Sequence, residues 1–146
     1  MPDTPEFDAP SLLRHTSHAL TLMDGLYTIC RLEPSAGLPA WAGAGRFQCF
    51  ARTPDELSIV CEASLVPPGV RHEGGWSLLR VEGPFDFSAV GVVASLAAPL
   101  AREGISIFVT STFDTDYLLI KRDKLEAAAR ALTAAGHTVR GARGIS

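Results

Sequence analysis

Two short segments concentrate side chains that could hold a small charged molecule. The first is Gly83-Pro84-Phe85-Asp86-Phe87-Ser88, which reads as the turn from a strand into the N-terminus of a helix. A helix start gathers unpaired backbone N–H groups and the positive end of the helix dipole, so it suits an anion such as a carboxylate. The second is Thr110-Ser111-Thr112-Phe113-Asp114-Thr115-Asp116, dense in hydroxyls and carboxylates for a strand and its turn. An α-amino acid needs an anion site and a cation site a few ångströms apart. The N–H groups of Phe87 and Ser88 would take the carboxylate, and Asp86 or Asp114 the ammonium through charge-assisted hydrogen bonds. Gly91 would leave room for close approach, and Thr110, Ser111 and Thr112 offer hydroxyls that donate or accept.

Plainer roles exist for the same residues. Asp86 and Ser88 are good helix caps whatever the function. Asp114-Thr115 makes a turn without any ligand, and Gly91 could instead serve close helix packing. The order of the elements brings both segments to one end of a sheet, and this favours a pocket. Catalytic patterns are missing: the chain has no Gly-x-Ser-x-Gly elbow, no Walker glycine loop and no Ser-His-Asp set in a recognisable order. His137 reads as a dipole partner at a helix end. His15 and His18 stand three apart with no third ligand at helical spacing, so no metal site is expected. Cys30, Cys49 and Cys61 are odd in number and widely spaced, which fits buried reduced thiols rather than a disulfide framework or a zinc site. No cofactor is expected.

The 146 residues are 47% hydrophobic and 20% charged, enough apolar material for a packed core. A net charge of -3 with scattered basic residues gives no electrostatic footprint for nucleic acid. No apolar run approaches the ~18 residues of a membrane span. Met1-Pro2-Asp3-Thr4-Pro5-Glu6 lacks the basic start and apolar stretch of a signal peptide, so a soluble cytoplasmic protein is expected.

The elements that must position these groups follow from the pattern. Residues 1–17 carry three prolines and no period, and read as a loosely attached arm. From 19 to 32 the pattern suits a strand broken near Asp24-Gly25. Residues 38–44 around Trp41 suit one or two helical turns. Phe47-Gln48-Cys49-Phe50-Ala51-Arg52 and Leu57-Ser58-Ile59-Val60-Cys61 flank Thr53-Pro54-Asp55-Glu56 as a β-hairpin. Pro67-Pro68-Gly69 and Gly74-Gly75 punctuate a connector containing His72 and Glu73, where the boundary between two halves is expected.

In the second half, residues 76–82 read as a strand and 88–103 as a helix, capped by Ser88 or Asp86, ended by Gly104 and kinked by Pro99. Its Ser88, Gly91, Ser95, Pro99 and Arg102 share a narrow stripe, and the wide apolar remainder implies contacts on more than one side. Residues 105–113 and 116–121 form a hairpin across Asp114-Thr115. Asp123 and Glu126 suggest a capping box for a second helix, with Leu125, Ala128, Ala129 and Leu132 buried and Gly136 at its end. His137-Thr138-Val139-Arg140 supplies a last strand. The order β-α-β-β-α-β is the ferredoxin-like one, of α+β class. The first half repeats it in part, so two related units are expected, 18–66 and 76–140, the first degenerate.

The motifs Thr53-Pro54-Asp55-Glu56-Leu57-Ser58-Ile59-Val60-Cys61, Val81-Glu82-Gly83-Pro84-Phe85-Asp86-Phe87-Ser88 and Gly104-Ile105-Ser106-Ile107-Phe108, with Ser111 to Tyr117, carry a resemblance. Over about residues 20–139 the chain resembles the ACT domain family, in particular small tandem-ACT proteins related to the CASTOR arginine sensors. The resemblance implies a regulatory module that binds an amino acid or related small molecule, not an enzyme. It places the ligand at the interface of ACT units, against Asp86, Phe87, Ser88, Val90 and Gly91, faced by Thr110, Ser111, Thr112, Phe113, Asp114 and Thr115. It further implies a homo-oligomer, commonly a dimer. Because no fused enzyme domain accompanies the units, any regulated protein would be a separate chain. The alternative is a ligand-free dimerisation or protein-interaction module.

Overall fold

The computed structural model describes residues 17–83 and 90–141. The first half runs β1 (Ala19–Leu22), β2 (Tyr27–Leu32), a 3-10 turn (Ala40–Gly43), β3 (Cys49–Arg52), β4 (Leu57–Glu62) and a second 3-10 turn (Ala63–Leu65). Then come β5 (His72–Val81), α1 (Val92–Arg102), β6 (Ile107–Ser111), β7 (Asp116–Lys121), a 3-10 turn (Arg122–Lys124), α2 (Leu125–Ala134) and β8 (Thr138–Arg140). The fold is α+β and ferredoxin-like, with two tandem units of which the first is degenerate: its two helices are reduced to single 3-10 turns.

One eight-stranded sheet joins the units, and β5 is its shared member. One edge of β5 pairs with β7. The other pairs first with β2 and then with β1, both antiparallel. The start of β5 therefore completes a sheet ordered β3-β4-β2-β5, the order a βαββαβ unit requires. The end of β5 opens the second unit, β6-β7-β5, whose last strand β8 does not reach β5. Instead β1 lies between them, antiparallel to β5 and parallel to β8. Strands β1 and β2 are the halves of the single run expected from 19 to 32, parted at Asp24-Gly25.

Three expectations need correction. His72 to Gly75, read as connector, are strand. From Tyr27 to Ile29 the partner on β5 moves from Trp76 to Glu73, so β5 carries one extra residue. Gly75 sits there with φ 80°, a left-handed bulge position that favours glycine. The glycines mark a bulge inside a strand, not a chain break. The first helix begins at Val92, and its N-cap is Gly91 with φ 79°. The expected caps Asp86 and Ser88 lie outside the described residues. Finally, α2 is entered through a 3-10 turn with Lys124 at the N-cap and no side-chain cap bond, so Asp123 and Glu126 form no capping box.

The sheet alternates between two cores. On one face α1 and α2 pack together over Leu20, Leu22, Leu79, Val81, Leu118 and Ile120, with Leu96, Leu100 and Leu132 fully buried. Truncating any of those leucines to alanine costs about 2–5 kcal/mol. The stripe of α2 expected to be buried, Leu125, Ala128, Ala129 and Leu132, is buried. The other face gathers Tyr27, Phe47, Val60, Trp76, Leu78 and Leu119, drawn from both halves. Here the sheet curls enough for Phe47, just before β3, to meet Tyr117 on β7: their ring centroids are 4.6 Å apart. A third cluster, Cys30, Ala42, Leu57, Ile59 and Cys61, lies in the first unit, with Trp41 packed against it.

Candidate functional site

The end of β5 and the β6–β7 turn meet. A Cβ built on Gly83 would lie 3.1 Å from the Asp114 carbonyl oxygen and 3.1 Å from the Thr115 Cβ. A side chain there would press on the turn, because the two segments approach closely. The Thr115 hydroxyl donates to the Val81 carbonyl at 2.6 Å and is buried, so it stitches the turn to β5. The turn also closes on itself. Thr112 N–H donates to the Thr115 carbonyl at 2.8 Å, the Thr112 hydroxyl reaches the same oxygen, and Thr115 N–H donates to Thr112 Oγ1. Of the expected Gly83–Ser88 segment, Gly83 touches the turn, and the rest lies outside the described residues.

Around this junction stand further polar groups. Ser111 and Asp116 are register partners at the mouth of the β6–β7 hairpin, and Ser111 Oγ donates to Asp116 Oδ1 at 2.6 Å. By alternation they lie on the helix side of the sheet, in line with Leu118 and Ile120. Glu82 accepts from the Thr21 hydroxyl on β1 at 2.5 Å. The β1–β8 end adds His18 and His137, whose rings stack with centroids 5.7 Å apart. Burial first, and the neighbouring His137 second, hold the His18 ring below its ordinary value, while Asp116 pulls it partly back up. Asp116, Glu82 and the two histidines were not read as site residues. Asp116 was legible as the residue opposite Ser111 in the expected hairpin, whereas Glu82 and His18 meet the site only through the placement of β1.

The expected site residues fall into four groups. Asp86, Phe87 and Ser88 lie outside the described residues. Val90 and Gly91 lead into α1, with Val90 exposed. Nothing lies within 4 Å of a Cβ built on Gly91, so its left-handed φ, rather than tight packing, calls for glycine. Ser111, Thr112, Phe113, Asp114 and Thr115 form the facing turn, Phe113 and Asp114 exposed and Thr115 committed to Val81. Thr110 points the other way, onto the curled face. There it neighbours the Cys49 thiol of β3, whose pKa is pushed up by burial and pulled partly back by the Thr110 hydroxyl. All three cysteines are free thiols, and burial pushes the pKa of Cys61 up to about 12. Among the described residues no group of His, Cys, Asp and Glu could hold a metal ion. No helix among them is long and apolar enough to cross a membrane.

The first unit contains the same turn in altered form. Thr53 N–H donates to the Glu56 carbonyl at 2.9 Å, and the N–H groups of Asp55 and Glu56 reach Thr53 Oγ1. Its surroundings are closed by arginines. Arg31 donates to the Asp55 carbonyl at 2.9 Å, and Arg52 reaches the Pro34 carbonyl. A four-residue 3-10 turn stands where the second unit has α1.

Comparison with known proteins agrees with this fold. A family model described as an ACT domain matches residues 71–134, and a model of an N-terminal domain matches residues 25–69. A protein from Agobacterium tumefaciens, known from its crystal structure, is 43% identical, with a TM-score of 0.83 over 90% of this chain and 98% of that one. The mouse (Mus musculus) cytosolic arginine sensor for mTORC1 subunit 1 is 39% identical over 51 residues. That alignment covers 34% of this chain but 15% of the mouse protein. The regulatory subunit of aspartate kinase from Thermus thermophilus, 14% identical with a TM-score of 0.54 over 83% of this chain, shares the fold. Residues 71–134 of the chain are an ACT domain.

Proposed function

We propose that this protein is a regulatory ACT module that binds an amino acid, or a similar small ligand, where the β5–α1 connection faces the β6–β7 turn. The observation that carries the reading is the contact of Gly83, just past the end of β5, with Asp114 and Thr115 of a turn rich in hydroxyls and carboxylates. The arginine-sensor relative and the regulatory subunit of aspartate kinase support the amino-acid class and a role in regulation rather than catalysis. In this reading the N–H groups from Asp86 to Ser88 and Gly91 hold the ligand carboxylate. Asp86 or Asp114 holds the ammonium, with Ser111 and Thr112 as hydroxyl partners and Val90 and Phe113 as apolar walls. Thr110 and Thr115 shape the site from behind.

The chain works as two units that share β5, in the cytoplasm, and relays ligand occupancy to a second copy or to a partner protein. In the first unit Arg31 and Arg52 bond backbone carbonyls at the corresponding junction, so the ligand is assigned to the second unit. One observation favours the ligand-free interaction module instead: Val90 and Phe113, large apolar residues, are 74% and 79% exposed. Calorimetric titration of the full chain with the best amino acid tests the assignment. Asp86→Ala or Asp114→Ala should weaken binding at least about tenfold, the scale of one charge-assisted hydrogen bond. Unchanged affinity in both variants would remove the ammonium assignment.

A further inference from the structure

The β6–β7 hairpin is held from more than one direction. Toward β5, its turn is tied by the Thr115 hydroxyl, which donates to the Val81 carbonyl at 2.6 Å. A second hold comes from the first unit. Thr110 and Tyr117 are register partners, one step along the hairpin from the mouth pair Ser111 and Asp116. Successive pairs point to opposite faces of a sheet, so Ser111 and Asp116 lie on the helix side, and Thr110 and Tyr117 on the curled side. Both curled-side residues meet the first unit there. The Tyr117 ring lies 4.6 Å from that of Phe47, tilted by 49°. Thr110, 7% exposed, neighbours Cys49 at the start of β3.

Phe47 is itself firmly seated. It is 8% exposed, and the Tyr27 ring meets it edge-on at 6.4 Å. The loop that carries it is closed. The Gln48 side-chain amide donates to the Ala44 and Gly45 carbonyls at 2.7 and 2.8 Å. Arg46 pairs with Glu62 at 3.2 Å and reaches the Asp24 carbonyl at 3.4 Å. Gly45 takes φ 92°, and a Cβ there would run into the Glu62 carboxylate. The ring is therefore presented to Tyr117 by a loop tied at several points to the first unit.

We propose that Phe47 is a positioning residue: through its ring against Tyr117, the first unit fixes the position of the β6–β7 turn. This gives the degenerate unit a task that does not depend on the helices it lacks. The contact falls on the hairpin pair directly behind Ser111 and Asp116, so a shift of the Phe47 loop moves the turn with it. Such a coupling is reciprocal, and an amino acid seated on the turn acts back on the Phe47 loop by the same factor. That consequence rests on the amino-acid reading of the turn, whereas the placement of the turn does not.

The test is hydrogen exchange by NMR on the full chain, first without any added small molecule, in wild type and Phe47→Leu. The Thr112 and Thr115 amides, which close the turn, should lose protection by about tenfold or more, while the α2 amides on the far face of the sheet lose less. Phe47→Tyr, which keeps the ring, should leave the turn close to wild type. With Tyr117→Leu already present, adding Phe47→Leu should cost the turn little more, because the contact is gone. If Phe47→Leu does not fold, Phe47→Met is read in the same way. Turn protection that is unchanged, or that falls only in step with α2, would overturn the proposal. Titration with each of the twenty amino acids then decides the ligand reading separately. A loosened turn with no amino acid bound leaves the placement standing and removes its ligand consequence. Binding at the turn without any shift of the amides from Arg46 to Gln48 would contradict the reciprocal coupling.

Discussion

Thr115 shows how a residue of the site can act without touching a ligand. Its hydroxyl is buried and spent on the Val81 carbonyl, so its work is to hold the β6–β7 turn against β5. Thr115→Val keeps the shape and removes the donor. It should lower stability by about 1–2 kcal/mol in urea unfolding and loosen the turn. Gly83→Ala should do the same by a different route, because its Cβ would meet backbone oxygen at 3.1 Å that cannot swing aside. A cost of about 1–3 kcal/mol is expected, since overpacking rather than lost burial sets it. His18 adds a pH dependence. Its ring, ordinarily near 6.5, is held lower when folded, chiefly by burial and next by His137. The folded state therefore binds fewer protons than the unfolded chain just below pH 6.5. Stability is full above that value and falls as pH drops toward the folded pKa. Urea midpoints at pH 7.5 and 5.5 should show this loss, and His18→Gln should shrink the difference.

Helix ends are where local signals and tertiary structure part company. Asp123 and Glu126 have the spacing of a capping box, but a 3-10 turn at Arg122–Lys124 carries the chain into α2 and leaves no side-chain cap. Asp123→Ala should then change stability by under about 0.5 kcal/mol instead of the ~1 kcal/mol a working cap supplies, as thermal melts would show. The buried stripe of α2 was readable because four apolar residues at helical spacing leave one face to bury. The stripe of α1 was not. Ser95 and Pro99 look like an outward polar seam, and only the His137 ring explains why they face inward. Hairpins were legible from their turn residues, since Thr53-Pro54-Asp55-Glu56 and Thr112-Phe113-Asp114-Thr115 both close on a threonine hydroxyl. The start of β5 was hidden by Gly74-Gly75, because a bulge glycine and a loop glycine are the same letter.

For the whole molecule, sharing β5 makes two small units into one body. Each half of the strand closes a different sheet, and β1 from the first half is wedged between β5 and β8 of the second. Tandem order could be read from periodicity, but this exchange could not, since pairing between distant strands leaves no local trace. It follows that residues 76–140 alone lack a strand at the centre of their own sheet. That fragment should be unfolded by circular dichroism and exchange, whereas the full chain should melt in one transition. A fragment that folds with native-like dispersion would show that β1 is dispensable.

The ligand reading meets its sharpest test in a thermal-shift screen of the full chain against the twenty amino acids, with light scattering on the same samples. A ligand that binds the native state raises the melting temperature, through about 2.7 kcal/mol of stabilisation at a hundredfold excess over its dissociation constant. A selective rise for one or a few amino acids, abolished by Asp86→Ala or Asp114→Ala, is the expected result. A flat response across all twenty, with an unchanged mass, would contradict amino-acid binding and leave the interaction-module reading.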